Sequence, residues 1–237
     1  MTFVHLHVHS EYSFLDGACG LNDLVSRAGE LGMPALALTD HEGLHGAIEF
    51  YQLARKAGIK PIIGCEVTLY PNFHLVLLAK NRCGYENLVY LVSRAHLGGT
   101  YQKPRMDKEL LPLHAQGLIA LSGCLSGEIP RLLLSGKYPE AEVRAREYRE
   151  IFGPANFYLE LSNHGLAGEA RCNNLLRELA QKIGIPVVAA NNVHYLNQEE
   201  ALVRELLVSI RTLKNINSPN LPTSFHPRSS ILNQPAK

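Results

Sequence analysis

The feature that most constrains the fold of this chain is a repeated alternation of short apolar runs with longer amphipathic stretches. Seven runs rich in aliphatic and β-branched residues predict strands, and several are apolar almost throughout, as in strands buried on both faces. Strands that alternate with helices are typical of an α/β fold with a largely parallel sheet. The predicted strands are Phe3–Val8, Ala35–Thr39, Pro61–Leu69, Phe73–Ala79, Gly117–Leu121, Phe157–Leu161 and Pro186–Ala190.

The amphipathic stretches between these runs predict helices. Two similar turns, "KAGIKP" (Lys56 to Pro61) and "KIGIP" (Lys182 to Pro186), have a glycine just past a helix and a proline at the entry to a strand. No Gly-x-Gly-x-x-Gly turn follows the first strand, which favours a barrel over an open sheet. The predicted helices are Leu21–Leu31, His45–Ala57, Gly84–Leu97, a region within Glu128–Ile151, Leu166–Ile183 and Gln198–Ile210.

Composition limits both the organisation of the chain and its partners. Hydrophobic residues make up 46% of its 237 residues, enough for one domain with a sizeable core. We assign residues 1–212 to this domain. Residues 213–237 contain four prolines and no periodicity, which predicts a linker or disordered tail. The formal net charge is +1, so any contact with nucleic acid must use a local patch or a metal-lined cleft.

The cysteines and the N-terminus indicate a cytoplasmic chain without a membrane anchor. The five cysteines are odd in number and form no Cys-x-x-Cys pair, so no disulfide framework is expected. No basic leader precedes an apolar stretch, and no apolar segment approaches the roughly 18 residues of a membrane span.

The run His5-Leu6-His7-Val8-His9 is the strongest functional signal. Alternate side chains of a strand share a face, so its three imidazoles point the same way. Imidazoles two residues apart on one strand are a common pair of metal ligands. A single histidine would be read as ordinary strand surface, but three on one face favour a metal site.

Polar residues also follow the predicted strands where one strand after another ends. In an α/β barrel these carboxyl ends form the active-site face. The strand that begins near His74 follows a three-residue turn, so it must return antiparallel and start at the same end. Asp16, in "SFLDG", is compatible with either a turn or this face. The polar groups are Asp40-His41-Glu42, Glu66 (after the apolar part Pro61–Gly64 of its strand), Ser122-Gly123-Cys124, Asn163-His164 and Asn191-Asn192-Val193-His194.

The mixture of imidazole and carboxylate indicates both the ions and the reaction class. Such ligands suit Zn²⁺, Mn²⁺ or Fe²⁺ better than Ca²⁺ or Mg²⁺. The candidates exceed what one tetrahedral ion needs, which indicates two or three divalent ions. Clustered divalent ions activate a water and hold the attacking and leaving oxygens of a phosphoryl transfer. We therefore expect hydrolysis of a phosphate ester.

Eight motifs in collinear order, over roughly residues 3–212, resemble the PHP (polymerase and histidinol phosphatase) domain. The likeness is strongest to the N-terminal PHP domain of bacterial DNA polymerase III alpha subunits. A single His-x-His motif is weakly specific, whereas eight motifs in order are highly specific. The motifs are "HLHVHSEYSFLDG", "LTDHEGLHGAIEF", "GIKPIIGCE", "HLVLLAKN", "GYENL", "GLIALSGCLSGEI", "NHG" and "NNVHY".

The resemblance implies a distorted seven-stranded (βα) barrel with up to three metals, bridged by Glu66, at the carboxyl ends of its strands. The family usually has Asp at the position of Asn192. The neutral Asn192 in place of this Asp removes a negative charge facing the cations and predicts lower metal occupancy. The implied ligands are His7, His9, Asp16, His41, Glu66, His74, Cys124, Asn192 and His194. Substrate contacts, or outer residues that support the ligands, are expected at His5, Asp40, His164 and Arg105.

The resemblance further implies a 3′–5′ exonuclease that proofreads DNA. Its substrate would be a single-stranded 3′ end, and its partners would be downstream polymerase domains or replisome subunits. The polymerase active site of the family lies downstream and is not expected in this chain. One alternative is a mainly structural metal-binding domain with little turnover, which Asn192 favours. Another is a small-molecule phosphatase, which the polymerase-type motifs oppose.

Overall fold

The structure is a computed structural model that describes residues 3–98, 104–214 and 230–231. These residues form a curled six-stranded sheet in the order β1-β2-β3-β4-β5-β6, together with eight α-helices. The strands are β1 Ala35–Leu38, β2 Lys60–Leu69, β3 Phe73–Ala79, β4 Leu118–Leu121, β5 Phe157–Leu161 and β6 Val187–Ala189. The helices are α1 Leu21–Glu30, α2 Ala47–Lys56, α3 Arg82–Gly98, α4 Leu111–His114, α5 Glu128–Leu134, α6 Tyr138–Phe152, α7 Glu169–Ile183 and α8 Ala201–Thr212.

The directions of the strands explain how the site residues reach one edge of the sheet. β1 is parallel to β2, and β5 is parallel to both β4 and β6. β3 runs antiparallel to β2 and β4. The α/β fold class and the antiparallel return after β2 are therefore confirmed. Thr68 pairs with His74 in this register, so the start of β3 lies beside the carboxyl end of β2.

Seven strands were predicted, and the first of them, Phe3–Val8, is not confirmed. This segment divides its backbone hydrogen bonds between two neighbours and forms only an isolated bridge to the chain after β6. On one side, the Ala37 amide donates to the carbonyl of His5 at 3.0 Å. On the other, the Val193 amide donates to the carbonyl of His7 at 2.9 Å. The segment thus joins β1 to the chain after β6 without forming a regular strand.

Successive side chains along each strand point alternately towards the helices and towards the inner face of the sheet. In β2, Cys65 and Val67 belong to the core beneath the helices, which leaves Glu66 on the inner face. In β5, Leu159 belongs to the same core, so Glu160 also faces inward. The inner face carries a small apolar cluster of Ala37, Val76, Leu78 and Leu121.

The structure confirms both predicted helix-to-strand turns and corrects one helix. Gly58 after α2 has φ +73° and Gly184 after α7 has φ +67°, a left-handed conformation that glycine adopts without strain. The region predicted as one helix within residues 128–151 is instead α5 and α6. The chain turns between them at Gly136, whose φ is +78°.

Two residues within the predicted tail pack against the domain. Ser230 and Ile231 are buried. Ser230 forms a bridge to Tyr195, and the carbonyl of Ile231 accepts a hydrogen bond from His5. The rest of the chain beyond residue 214 lies outside the described residues, and the domain boundary at residue 212 stays a prediction. None of the described helices combines the length and the apolarity needed to cross a membrane.

Candidate metal centre

The Glu66 carboxylate is the centre of a cluster of imidazoles at the inner face of the sheet. His7 Nε2 contacts its Oε2 atom, and His74 Nδ1 contacts its Oε1 atom. His9 Nε2 lies 3.5 Å from Oε2, and His41 Nδ1 lies 3.5 Å from Oε1. Four imidazoles thus surround one buried carboxylate, two at each of its oxygens, an arrangement that suits a carboxylate shared between cations.

Asp16 provides a second carboxylate at the other end of the cluster. Its Oδ2 atom lies 3.0 Å from His41 Nε2 and 3.7 Å from His194 Nε2. The His9 ring is stacked on His41 with centroids 4.1 Å apart, and on His194 at 4.4 Å. His9 and His41 therefore connect the two carboxylates into one continuous site.

The donor atoms of this site fit divalent cations. The buried His9 Nε2 atom has no hydrogen-bond partner among the described residues, although it faces a Glu66 oxygen. A cation between these two atoms would satisfy both. The candidate ligands form three groups, and within each group the ligand atoms all lie within 4.8 Å of one another. The groups share His9 and Glu66. The groups are His9–His41–His194, His7–His9–Glu66 and Glu66–His74–Cys124.

Burial and neighbouring charges set the protonation of these groups, and the ionised Glu66 carboxylate favours cations. Burial would raise the pKa of Glu66, but His74 and His7 hold it well below its usual range, so the carboxylate is ionised. Burial lowers the pKa of His9 to about 3, which keeps that imidazole neutral. Burial would also lower the pKa of His74, but the Glu66 charge raises it to about 10. A cation beside Glu66 would replace the proton of His74 as counter-charge.

A buried acid on β5 orients His7. Glu160 Oε1 accepts a hydrogen bond from His7 Nδ1 at 2.8 Å, which directs Nε2 towards Glu66. A carboxylate behind a ligating imidazole fixes its tautomer and raises its basicity. The sequence reasoning missed Glu160. Its signal is a single acid within the apolar run "FYLEL", since a buried acid needs a partner.

Asp40 supports the site from outside through Ser13. The Ser13 hydroxyl accepts a hydrogen bond from His9 Nδ1 at 3.0 Å and donates to Asp40 Oδ1 at 2.7 Å. Asp40 also accepts from the Ser10 amide at 2.7 Å. Asp40 thus holds the turn that orients His9. Ser13 was not predicted.

The remaining predicted ligands lie at the same face. Cys124 Sγ is 3.9 Å from His74 Nδ1. His194 Nδ1 donates to the carbonyl of Asn192 at 2.8 Å, which leaves its Nε2 atom facing Asp16. Asn192 has a φ of +39° and lines the cavity at the site.

A cavity of about 460 Å³ lies over the cluster and adds two arginines to it. Arg204 and Arg211 are seven residues apart on α8, so two helical turns place them on one face. Both contact Asp16 and line the cavity. The sequence reasoning missed them because helical spacing does not reveal which surface the helix covers.

Three further predicted residues have different surroundings. His164 lines the cavity, and its Nε2 atom lies 2.6 Å from the carbonyl oxygen of Asn191. His5 instead bonds through Nε2 to the carbonyl of Ile231 at 2.9 Å. Arg105 does not line this cavity; it donates to Glu42 at 3.2 Å and to Asn72 at 2.9 Å.

Known proteins similar to this chain include bacterial DNA polymerases. The DNA polymerase III subunit alpha of Treponema pallidum is 49% identical over 234 residues, which cover 93% of this chain and 20% of that protein. The error-prone DNA polymerase of Symbiobacterium thermophilum is 47% identical over 239 residues, covering 93% of this chain and 22% of that protein. The chain therefore spans about a fifth of the length of these curated relatives.

Solved structures share the fold at low sequence identity. An amidohydrolase from Chromobacterium violaceum has a TM-score of 0.60 at 17% identity, over 81% of this chain and 87% of that one. A putative metal-dependent phosphoesterase from Bifidobacterium adolescentis has a TM-score of 0.57 at 14% identity, with the same coverage. The family model of the PHP domain matches residues 5–164, which include the histidine run, Glu66, His74 and Cys124. The chain therefore belongs to the PHP domain family.

Proposed function

We propose that this chain is the metal-dependent phosphoesterase domain of a DNA polymerase III alpha-type protein, and that it removes nucleotides from the 3′ end of a DNA strand. The observation that carries the proposal is the Glu66 carboxylate, which is shared by four imidazoles in a buried cluster next to an open cavity. The proposed ligands are drawn from the nine residues named from the sequence, with Zn²⁺, Mn²⁺ or Fe²⁺ as the ions.

Divalent ions bound there would supply an activated water and stabilise charge on the attacking and leaving oxygens. The residues of the chain provide the conditions for this chemistry. Glu66 remains ionised in a buried site, and Glu160 and Ser13 hold His7 and His9 in fixed orientations. Such preorganisation avoids reorientation of dipoles during the reaction. Arg204 and Arg211 add positive charge to the cavity, which favours an anionic substrate.

Two observations favour DNA as the substrate. The two similar proteins named above are DNA polymerases, and DNA synthesis leaves a 3′ end whose last nucleotide is joined to the strand by one phosphodiester bond. The volume of the cavity, about 460 Å³, lies within the roughly 300–1,000 Å³ typical of small-ligand sites. It therefore suits one terminal nucleotide better than a continuous duplex.

The proposal is tested with the purified chain and a single-stranded DNA that carries a 5′ label. With Mn²⁺ or Zn²⁺ added, the labelled strand should shorten in one-nucleotide steps. His9→Ala should abolish the shortening because it removes a residue common to two ligand groups. His45→Ala is the matched control, since His45 is an exposed histidine outside the cluster and should leave the rate unchanged.

Each alternative has its own result in this assay. Stoichiometric metal without any shortening would support a structural metal-binding domain in place of the nuclease. Release of phosphate from a monoester such as p-nitrophenyl phosphate, with intact DNA, would support a small-molecule phosphatase. Shortening that survives His9→Ala would identify a contaminating nuclease and leave the proposal without support.

A further inference from the structure

The two ends of the centre differ in the cations that already surround them. We call Glu66, Glu160, His7, His74 and Cys124 the Glu66 end. We call Asp16, His41, His194, Asn192, Arg204 and Arg211 the Asp16 end. At the Asp16 end, Arg204 Nη2 lies 2.8 Å from Asp16 Oδ1, and Arg211 Nη1 lies 3.0 Å from Oδ2. One carboxylate therefore meets two guanidinium groups.

Arg211 contacts the Asp16 oxygen that a third metal ion would also need. The Oδ2 atom that it contacts also faces His41 Nε2 at 3.0 Å and His194 Nε2 at 3.7 Å. These two imidazoles belong to the candidate ligand group His9–His41–His194. A cation in that group would have to share the same carboxylate oxygen with the guanidinium. Two positive charges that compete for one oxygen weaken the binding of either.

The formal charges also differ between the two ends and support the same conclusion. Its imidazoles aside, the Glu66 end has two buried carboxylates, and no lysine or arginine among the described residues contacts either of them. The Asp16 end has one carboxylate against two guanidiniums, and Asn192 is neutral. Guanidinium groups cannot relieve this excess by losing a proton near neutral pH. With its imidazoles deprotonated, as metal binding requires, the Glu66 end attracts divalent cations, whereas the fixed charges of the Asp16 end repel them.

We infer that the centre binds two divalent cations firmly, in the groups His7–His9–Glu66 and Glu66–His74–Cys124, and that the Arg211 guanidinium serves as the built-in cation of the Asp16 end. The inference rests on the proposed metal-dependent function and specifies its ion count. Arg211 also lines the cavity, and its side chain is 38% exposed. It therefore presents its charge to a substrate phosphate from the side where a third ion would otherwise lie.

The test is metal stoichiometry, which does not depend on turnover. The metal-free chain is titrated with Mn²⁺ by calorimetry, and ions retained after dialysis are counted by elemental analysis. The wild type should retain two ions per chain. The double variant Arg211→Gln/Asn192→Asp removes one positive charge and adds one negative charge. It should bind a third ion at least about tenfold more tightly than the wild type does.

Two further variants separate charge from shape. Arg211→Lys keeps the positive charge and should keep the count of two. Arg82→Gln removes an exposed arginine that pairs with Glu86 at 2.9 Å and does not line the cavity, and it should also keep the count. A double variant that still binds two ions overturns the inference. So does a wild type that binds three ions of similar affinity.

The same measurements distinguish this inference from the proposed function. Three firmly bound ions together with DNA shortening would overturn the ion count while the nuclease proposal stands. Two firmly bound ions without DNA shortening would support the ion count and overturn the nuclease proposal. A wild type that retains no ion would overturn both.

Discussion

The Glu66 end and the Asp16 end of the centre offer similar ligands in opposite electrostatic surroundings. Imidazoles face a buried carboxylate at both ends. The Glu66 end contains a second acid, Glu160, whereas Arg204 and Arg211 contact the carboxylate of the Asp16 end. The difference teaches that a count of histidines is a poor guide to the number of bound ions, because neighbouring charges decide which ligand groups can hold one.

The two ends also differ in the elements that carry them. Glu66, His74 and Glu160 lie on β2, β3 and β5, where ladder hydrogen bonds fix their positions. Asp16 lies in a turn, and its arginine partners lie on α8. Sites built on strands are held more precisely than sites built on loops. The ion pairs of Asp16 connect its turn to α8 and help to hold the turn in place.

The largest expected effect is that of Glu66→Gln, which changes the charge at the centre while keeping the volume. Both ion groups of the Glu66 end lose their shared carboxylate. We expect DNA shortening to slow at least about 1,000-fold, since the several kcal/mol of charge stabilisation supplied by the ions would be lost. Gel analysis of the labelled DNA measures the rate, and elemental analysis should find fewer than two ions.

The matched control is Glu86→Gln, the same substitution at an exposed residue of α3. Its rate and ion content should equal those of the wild type. A Glu66→Gln variant that keeps two ions and full activity would remove the Glu66 end from the mechanism.

Asp16→Asn should act on stability and leave the Glu66 end intact. The substitution removes the negative charge that Arg204 meets in a buried ion pair. Breaking one partner of such a pair costs about 3 kcal/mol, so the free energy of unfolding of the metal-free chain should fall by about that amount. Urea denaturation measures the loss. Mn²⁺ titration of the same variant should still find two firm ions; loss of both would show that the two ends are not separate.

Sequence reasoning could predict the candidate ligands because their signal is local. Polar residues near the carboxyl ends of strands, such as His41 and Glu66, indicate one face of an α/β fold, and the structure brings them together. The residues that set the charge balance are distant in sequence. Glu160 lies 153 residues from His7, and Arg204 lies 188 residues from Asp16. Such pairs arise only when the sheet curls and α8 docks, which no local pattern encodes.

The predicted strand Phe3–Val8 also depends on contacts that are distant in sequence. The run Phe3–Val8 has the alternation of a strand, and that alternation is what places His7 and His9 together. Whether such a run counts as a strand depends on the register of its neighbours. Here its hydrogen bonds are divided between β1 and the chain after β6. The pattern therefore predicted the side chains of the segment better than its backbone.

Glu160→Gln should weaken the Glu66 end by a smaller, selective amount. The amide keeps the size of the side chain but removes the charge behind His7. Loss of such an outer partner costs about 10–100-fold in metal affinity. We expect a change near the lower value, since the amide oxygen can still accept the hydrogen bond. Mn²⁺ calorimetry measures it, and the stability of the metal-free chain should change less than in Asp16→Asn. An unchanged affinity would mean that Glu160 does not tune the ions.

The smallest effect is a change in the reactivity of one thiol, and it reports which end fills first. Burial raises the pKa of the Cys172 thiol to about 11 and those of Cys19 and Cys65 well above the usual range. These three hold little thiolate at pH 8 and should resist iodoacetamide. Cys83 and Cys124 are partly exposed and should react in the metal-free chain.

Zinc should protect Cys124 and leave Cys83, the internal control, unchanged. Cys124 belongs to a ligand group with Glu66 and His74, and metal binding engages the thiolate that iodoacetamide attacks. Peptide mass spectrometry gives the alkylated fraction at each zinc addition. If the Glu66 end fills first, protection should be complete by the second equivalent. A thiolate there adds a further negative charge to that end, which would deepen its contrast with the two guanidiniums around Asp16. Full reactivity of Cys124 at two equivalents would instead place an ion at the Asp16 end, despite those guanidiniums.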